Sequence, residues 1–455
     1  RSGRGVAVAV TGEAGSGKTR LVDRVREISP PGVVWVDARA ASFARETAYW
    51  SAREMVHAVT GTHPGQTPVQ FGTALDRVLG AGGGRYRDDL MSLLCPPADG
   101  SPSAPEGRER IAGAAAALAE RVARDAPLVS VWDDCQWIDE YSLDVLRRLA
   151  GTSTTGPVVV IAIFRNDETG LMAATEFDVI LKTGPFDADE SRELASVLLE
   201  GLRVPPVLVT EVIDAARGNP FFLKEVLGAL RDAAAMVDSG WNVRNLAVPS
   251  TLHGAVMSRV DGLAPREKET LQAAAVAGSV FSPAVLEHVC AESSELGASL
   301  DELCRRDFIC ADTTGEYTFR QPMTAEVAYE SLLKSRRLEL HRRTGEAIER
   351  LFPGRLIELS PVLAYHYEVA GVADKAFEYL VRAARRASAV SAAREALRRY
   401  RRALAIAESG DGSSPAPAVV RDLAALHEEI ADAHVVVANY ADARAHFDIA
   451  AGLLD

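Results

Sequence analysis

The chain is poor in the features that mark secreted, metal-binding and membrane proteins. Its five cysteines, Cys95, Cys135, Cys290, Cys304 and Cys310, are odd in number and scattered, with no C-x-x-C among them. That excludes a disulfide framework and a cysteine zinc site, and it fits a reducing cytosol. The nine histidines contain no H-E-x-x-H, the helical spacing that holds a catalytic zinc. No apolar run approaches the ~20 residues of a membrane span. The longest, such as residues 157–164, are strand-sized. Positive charge is also short: 50 Lys+Arg face 63 Asp+Glu, a formal net charge of −13. Neutralising phosphates needs a basic surface, so this balance argues against non-specific DNA binding. An initiating methionine and a leader are missing as well. The chain opens Arg1-Ser2-Gly3-Arg4-Gly5 and reads as a piece of a longer protein, located in the cytoplasm.

What is present is ample core material. With 455 residues, 47% of them hydrophobic, the chain is long enough for three or four domains at roughly 100–200 residues each. Apolar, β-branched runs at residues 6–10, 33–37, 128–132 and 158–164 alternate with helical patterns at 18–28, 106–125 and 142–150. Continuous hydrophobic strands separated by helices predict a parallel sheet covered on both faces. The Gly/Pro-rich stretches 61–68 and 96–107 read as loops.

From about Asp187 the strands almost vanish. Helical segments at 191–201, 206–217 and 221–236 predict a helical lid over 187–249. Three helical patterns (266–277, 283–290, 296–306) then lead into short β runs at 308–312 and 317–320 around Thr314-Gly315. Three helices and a hairpin predict a winged-helix domain over 250–350. Residues 351–455 are helical and rich in Ala and Arg. There Ala376, Leu380 and Ala383 align with Ala443, Phe447 and Ala450, at a spacing close to two tetratricopeptide periods of about 34 residues. Unrelated amphipathic hairpins would also give this pattern. The 410–417 stretch reads as a loop that interrupts the array. Arg382, Arg385, Arg386, Arg394, Arg398, Arg399, Arg401 and Arg402 read as a solvated helical surface with i,i+4 partners, or as a surface for a partner or anion. No interleaved aromatics suggest single-strand or RNA binding.

The chemistry concentrates at the start. Gly12-Glu13-Ala14-Gly15-Ser16-Gly17-Lys18-Thr19 is a full G-x-x-x-x-G-K-T between a strand and a helix, with Arg20 following. Backbone N–H groups of such a loop curl around phosphates and the helix N-terminus adds its dipole. Lys18 reaches the β- and γ-phosphates, and the Thr19 hydroxyl ligates Mg²⁺. The predicted 128–132 strand continues into Asp133 and Asp134. Asp133 would hold Mg²⁺ through water, and Asp134 would polarise the attacking water of ATP. Asp is shorter than Glu, so slow turnover is expected. A loop-capping carboxylate is the other account of Asp134. Arg165 ends the fourth apolar run and would emerge at the ligand edge of the sheet as a γ-phosphate sensor or as a solvated arginine, with Asn166 and Asp167 beginning the turn.

Together with Trp132-Asp133-Asp134-Cys135-Gln136-Trp137-Ile138-Asp139, Arg217-Gly218-Asn219-Pro220-Phe221-Phe222, Phe319-Arg320-Gln321 and the 328–333 segment, these boxes resemble the STAND-class signal-transduction ATPases. The likeness runs in matching order over about residues 6–385. It is nearest to the ATPase modules of large LuxR-type transcription regulators and of ATPase-linked nucleotide cyclases. It implies that Pro220 packs near adenine, although a proline opening a helix explains that residue too. The family's histidines after its acidic pair and after its Phe-Arg are Gln136 and Gln321 here. Glutamine donates a hydrogen bond but carries no charge. The family's adenine-contacting segment before the first strand lies outside the sequence, as do output domains.

The expectation is therefore a multidomain α/β plus α protein: P-loop domain 1–186, lid 187–249, winged helix 250–350 and repeat arm 351–455. It would bind ATP/ADP with Mg²⁺, hydrolyse slowly, receive a protein or small-molecule signal on the repeats, and form homo-oligomers with ATP. Membranes and nucleic acid are not expected partners of this piece. A steadily hydrolysing remodelling ATPase and a nucleotide-stabilised scaffold are the rival readings.

Overall fold

A computed structural model describes residues 5–40, 45, 47–80, 83–95, 107–152, 156–165, 177–200, 204–235, 251–290, 295–312, 315–408 and 417–454. All but the last residue of the expected 96–107 and 410–417 loops, together with Asn166, Asp167, Thr314 and the 236–249 end of the lid, lie outside them. The chain divides into two compact units. One comprises residues 1–11, 24–181 and 352–455; the other comprises 12–23 and 182–351.

The sheet starts with β1 (Val6–Gly12), followed by α1 (Lys18–Glu27) and β2 (Val34–Arg39). Three helices occupy a stretch to which the sequence pattern assigns no element: α2 (Trp50–Thr60), α3 (Pro68–Leu79) and α4 (Gly84–Leu94). The expected 61–68 loop joins the first two. Gly61 ends α2 in the left-handed region (φ 67°), and a Thr67–Gln70 capping box starts α3. Then come α5 (Gly107–Ala123), β3 (Leu128–Asp133), α6 (Glu140–Thr152), β4 (Val158–Arg165) and β5 (Val179–Lys182). The strand order is β2-β3-β4-β1-β5.

Strands β2, β3 and β4 are parallel, with Val34 opposite Leu128 and Leu128 opposite Val158. The Gly5 N–H donates to the Gly156 carbonyl at 2.8 Å just before β1 and β4 begin, so those two strands also run the same way. Arg39, Asp133 and Arg165 consequently end their strands at one edge. Central strands β3 and β4 are almost wholly buried, as a parallel sheet covered on both faces requires.

The next region is mostly helical: α7 (Ala188–Leu198), α8 (Pro206–Ala216), α9 (Pro220–Ala235) and α10 (Leu252–Asp261). Ala195, Leu208, Val212, Ala216, Phe222, Leu223, Val226, Leu227 and Ala255 form its core. Three helices follow, α11 (Pro265–Ala277), α12 (Pro283–Val289) and α13 (Leu296–Arg305), with β6 (Val280–Phe281) after the first. The hairpin of β7 (Ile309–Ala311) and β8 (Tyr317–Phe319) pairs with β6 into a three-stranded sheet ordered β6-β8-β7. Helices α14 (Pro322–Glu330) and α15 (Lys334–Leu351) complete the region.

Residues 352–455 form α16 (Leu356–Ala370), α17 (Ala373–Ala389), α18 (Ala393–Glu408), α19 (Pro417–Val436) and α20 (Tyr440–Leu454). Left-handed residues Gly371, Ser391 and Ala438 make the tight turns between neighbours. Ala376, Leu380 and Ala383 are buried, as are their counterparts Ala443 and Ala450, but Phe447 is 42% exposed and departs from the aligned pattern. The arginines depart too. Arg382 pairs with Glu378 along its helix, as a solvated surface predicts. Arg385 and Arg402 instead reach Glu429 and Glu368 on other helices, and Arg386 and Arg399 are buried. A helix packed on two sides has no fully solvated face, so part of its charge is enclosed. Among the described residues, no helix is long and apolar enough to cross a membrane.

Candidate functional site

The glycine-rich loop joins β1 to α1 through residues whose conformation few side chains tolerate. Gly15 has φ 78° and Gly17 φ 89°. At Gly15 a Cβ would also lie 2.6 Å from the Phe221 Cβ and 2.8 Å from the Asn219 Oδ1. At Gly17 it would meet nothing within 4 Å, so the loop is open on that side. Glu13, Gly17, Thr19 and Arg20 are exposed. The Lys18 ammonium donates to the Gly12 carbonyl at 3.0 Å and to the Glu13 carbonyl at 2.7 Å, which folds it over its own loop. The Ser16 hydroxyl donates to the Glu13 carbonyl and contacts the Thr183 hydroxyl at 2.7 Å. A cradle of glycines with a lysine over it and the α1 N-terminus behind it has the chemistry that a polyphosphate needs.

The loop is tied to the turn before α9. The Asn219 side-chain amide donates to the Ala14 carbonyl at 3.0 Å, and the Phe221 N–H points at the Gly15 carbonyl at 3.3 Å. Asn219 Oδ1 meanwhile accepts from the Phe221 and Phe222 N–H groups, capping α9. Gly218 must be glycine, because at φ 76° its Cβ would stand 2.3 Å from the Phe186 carbonyl. Pro220 begins α9 at this turn. Pro220 is the residue that the family resemblance implies here, but the side chain that grips the loop is that of its neighbour Asn219. A polar residue at a helix N-cap was the available signal, but the cap alone does not reveal a second partner 205 positions away. Gln321 occupies the N-cap position of α14 without a side-chain cap bond.

At the sheet edge the two carboxylates differ. Asp133 Oδ1 accepts the Asp134 N–H at 2.8 Å. Asp134 sits in the left-handed region (φ 56°), with Oδ2 held by Arg39 Nε and Nη2, both at 3.2 Å, and Oδ1 by Gln136 Nε2 at 3.0 Å. Arg165 lies over the Trp137 ring, 5.9 Å from its centroid. Two further residues shape this edge. Glu54 on α2 accepts the Arg39 N–H at 2.6 Å, and burial pushes its carboxyl up to about 7. Asp139 is buried and accepts N–H groups of Tyr49, Trp50, Tyr141 and Ser142, so it caps α2 and α6 at once. Burial raises it to about 6. Nothing in the sequence marks Arg39 and Glu54, because a strand-end arginine and a helical glutamate are ordinary until register and packing join them.

Residues 1–161 match the family model described as an AAA ATPase domain. An uncharacterized protein of Rhizobium meliloti is 25% identical over 428 residues, covering 87% of this chain and 40% of its own length. The chain thus spans less than half of that relative. Among solved structures, a STAND protein with a tetratricopeptide repeat sensor from Pyrococcus horikoshii aligns at TM-score 0.48 and 12% identity, over 100% of this chain and 62% of its own. A Walker-type ATPase of Pyrococcus abyssi aligns at TM-score 0.31 and 17% identity, over 71% of this chain and 90% of its own.

Proposed function

We propose that this chain, whose first 161 residues are an AAA ATPase domain, is a STAND-type signalling switch. It binds ATP or ADP, hydrolyses slowly, and governs an attached or partner output domain from the cytoplasm. Transcriptional regulation is the output that the family resemblance implies. The observation that carries the reading is the bond from Asn219 to the Ala14 carbonyl of the phosphate loop. Any rearrangement of that loop on nucleotide binding or loss is felt directly at the start of α9. A nucleotide can shift a two-state equilibrium only by differing contacts with the two states, and this tie supplies a route to such a difference.

Residues 12–20 would hold the phosphates, with the Lys18 ammonium exchanging its loop carbonyls for phosphate oxygens. Pro220 would flank the adenine. Thr19 and Asp133 would hold Mg²⁺, which when bound supplies charge neutralisation on the phosphate oxygens. Asp134 would orient water, Arg165 would sense the γ-phosphate, and Gln321 would contact the nucleotide as an uncharged hydrogen-bond donor. The double hold of Arg39 and Gln136 on Asp134 supports slow turnover, since a carboxylate engaged through both oxygens is a poor acceptor for a water proton. The 187–249 lid, the 250–350 winged helix and the 351–455 tetratricopeptide-like arm are the remaining parts, with a signal received on the arm and assembly in the ATP state.

Mass spectrometry of the nucleotide that copurifies with the full chain tests the reading. Retained ADP with turnover well below one per second is the expected result. Steady, rapid hydrolysis without retained nucleotide would make it a remodelling ATPase, and an assembly state indifferent to ADP and ATP would make it a scaffold.

A further inference from the structure

Among the described residues, Arg53 of α2, Arg386 of α17 and Arg399 of α18 are buried near Glu358 of α16 and Glu395 of α18. Glu358 and Glu395 are already engaged. Glu358 accepts from Arg355 Nε and Nη2 at 2.9 and 3.0 Å and lies 3.6 Å from Arg53. Glu395 accepts from Arg399 Nε at 2.8 Å and from the Ala48 N–H, while Arg399 also reaches the Thr47 hydroxyl at 3.3 Å. Arg386, only 3% exposed, lies within electrostatic reach of Arg53, Arg399, Glu358 and Glu395. Among the described residues no carboxylate forms an ion pair with it, and its Nε has no hydrogen-bond partner. The Nε of Arg53, 8% exposed, has none either. His57, beside Arg53, is driven by burial to about 4 and is neutral at physiological pH, so it adds no charge.

Among the described residues Arg355 holds Glu358 and Arg399 holds Glu395, and Glu54 beside Arg53 is raised by burial to about 7 and so only partly charged, which leaves positive charge in excess around Arg386. Burial lowers Arg386 to about 9, which still leaves it cationic at neutral pH. An enclosed guanidinium without an ion pair of its own is costly. The planar donor fork of arginine matches oxyanions in particular. We propose that Arg386 and Arg53 form a binding site for a small doubly charged oxyanion, inorganic phosphate, enclosed by α2 and the arm helices. It uses no residue of the phosphate loop and does not depend on the nucleotide reading. Bound phosphate would cross-link α2 to α17 through both guanidiniums and so fasten the arm helices to α2.

The test uses the full chain carrying Lys18→Ala, which removes phosphate binding at the loop. Equilibrium dialysis with radiolabelled inorganic phosphate should find about one equivalent per chain, and none when Arg386→Met is added. The melting temperature of the Lys18→Ala chain should rise with phosphate and not with chloride at equal ionic strength. No bound phosphate in Lys18→Ala, or undiminished binding in the double variant, overturns the proposal. If Arg386→Met does not fold, Arg386→Lys keeps the charge and loses the fork. At least tenfold weaker phosphate binding is then expected, and equal binding overturns the site.

Discussion

Single residues at the sheet edge set what the acidic pair can do. Arg39 and Gln136 share the Asp134 carboxylate between them. Arg39→Ala should therefore release one oxygen and raise steady-state ATP turnover several-fold, while Asp134→Asn should leave nucleotide affinity intact and abolish the residual turnover. A phosphate-release assay on both variants decides. An Asp134→Asn chain that hydrolyses like the parent would mean that another group positions the water. On the loop, Lys18 sits over the Gly12 and Glu13 carbonyls. Lys18→Ala leaves several phosphate charges uncompensated and should abolish tight ATP binding. Unchanged affinity by calorimetry would remove the loop from the nucleotide site.

Elements are joined here by side chains that serve two masters. Asn219 caps α9 and holds the loop, so Asn219→Ala should cost about 1–2 kcal/mol of stability from the cap alone. It should also weaken ADP binding, measured by calorimetry. A stability loss with undiminished ADP affinity would show that the tie to Ala14 does not shape the loop. Glu54 joins α2 to the end of β2 through the Arg39 N–H. Its folded value of about 7 is raised from 4.5, because burial disfavours the charged form. Its contribution to stability is therefore fully present below 4.5 and is lost as pH rises through 7. That displacement corresponds to on the order of 3 kcal/mol. Glu54→Gln keeps an acceptor for the Arg39 N–H and removes the titration. Urea unfolding between pH 5 and 8 should show the parent losing stability relative to the variant; parallel curves would exclude Glu54 as the source.

For the whole molecule, the two units divide the sequence in an order that chain position does not suggest. The phosphate loop groups with residues 182–351, and the sheet groups with residues 352–455. If nucleotide on the loop stabilises one arrangement of the first group, its removal should loosen that group without unfolding the sheet. Deuterium exchange is expected to rise at residues 218–222 and near Gln321 on stripping the nucleotide, while residues 158–164 stay protected. Gln321→His should slow ADP release if this position faces the diphosphate. An unchanged release rate would exclude Gln321 from the nucleotide site.

The sequence alone determined the glycine-rich loop between a strand and a helix, the acidic pair at a strand end, the alternation of strands and helices, and the three helices followed by a hairpin. Each is written in local spacing: a motif between a strand and a helix, an apolar run of strand length, a glycine at a turn. It did not determine helices α2 to α4, whose short apolar stripes become distinct only when buried, Leu90 and Leu93 completely so. Nor did it separate the arginines of the arm. Arg382 and Arg386 lie on the same helix four residues apart. One pairs with Glu378 at the surface, and the other is enclosed among α2 and its neighbours. Helical periodicity predicts which residues share a face; whether that face meets water, a carboxylate or another guanidinium is decided by elements distant in sequence. The same holds for Asn219, Arg39 and Glu54. A hydrogen bond between residues far apart in the chain leaves no local signature, and only the tertiary structure brings its donor and acceptor together.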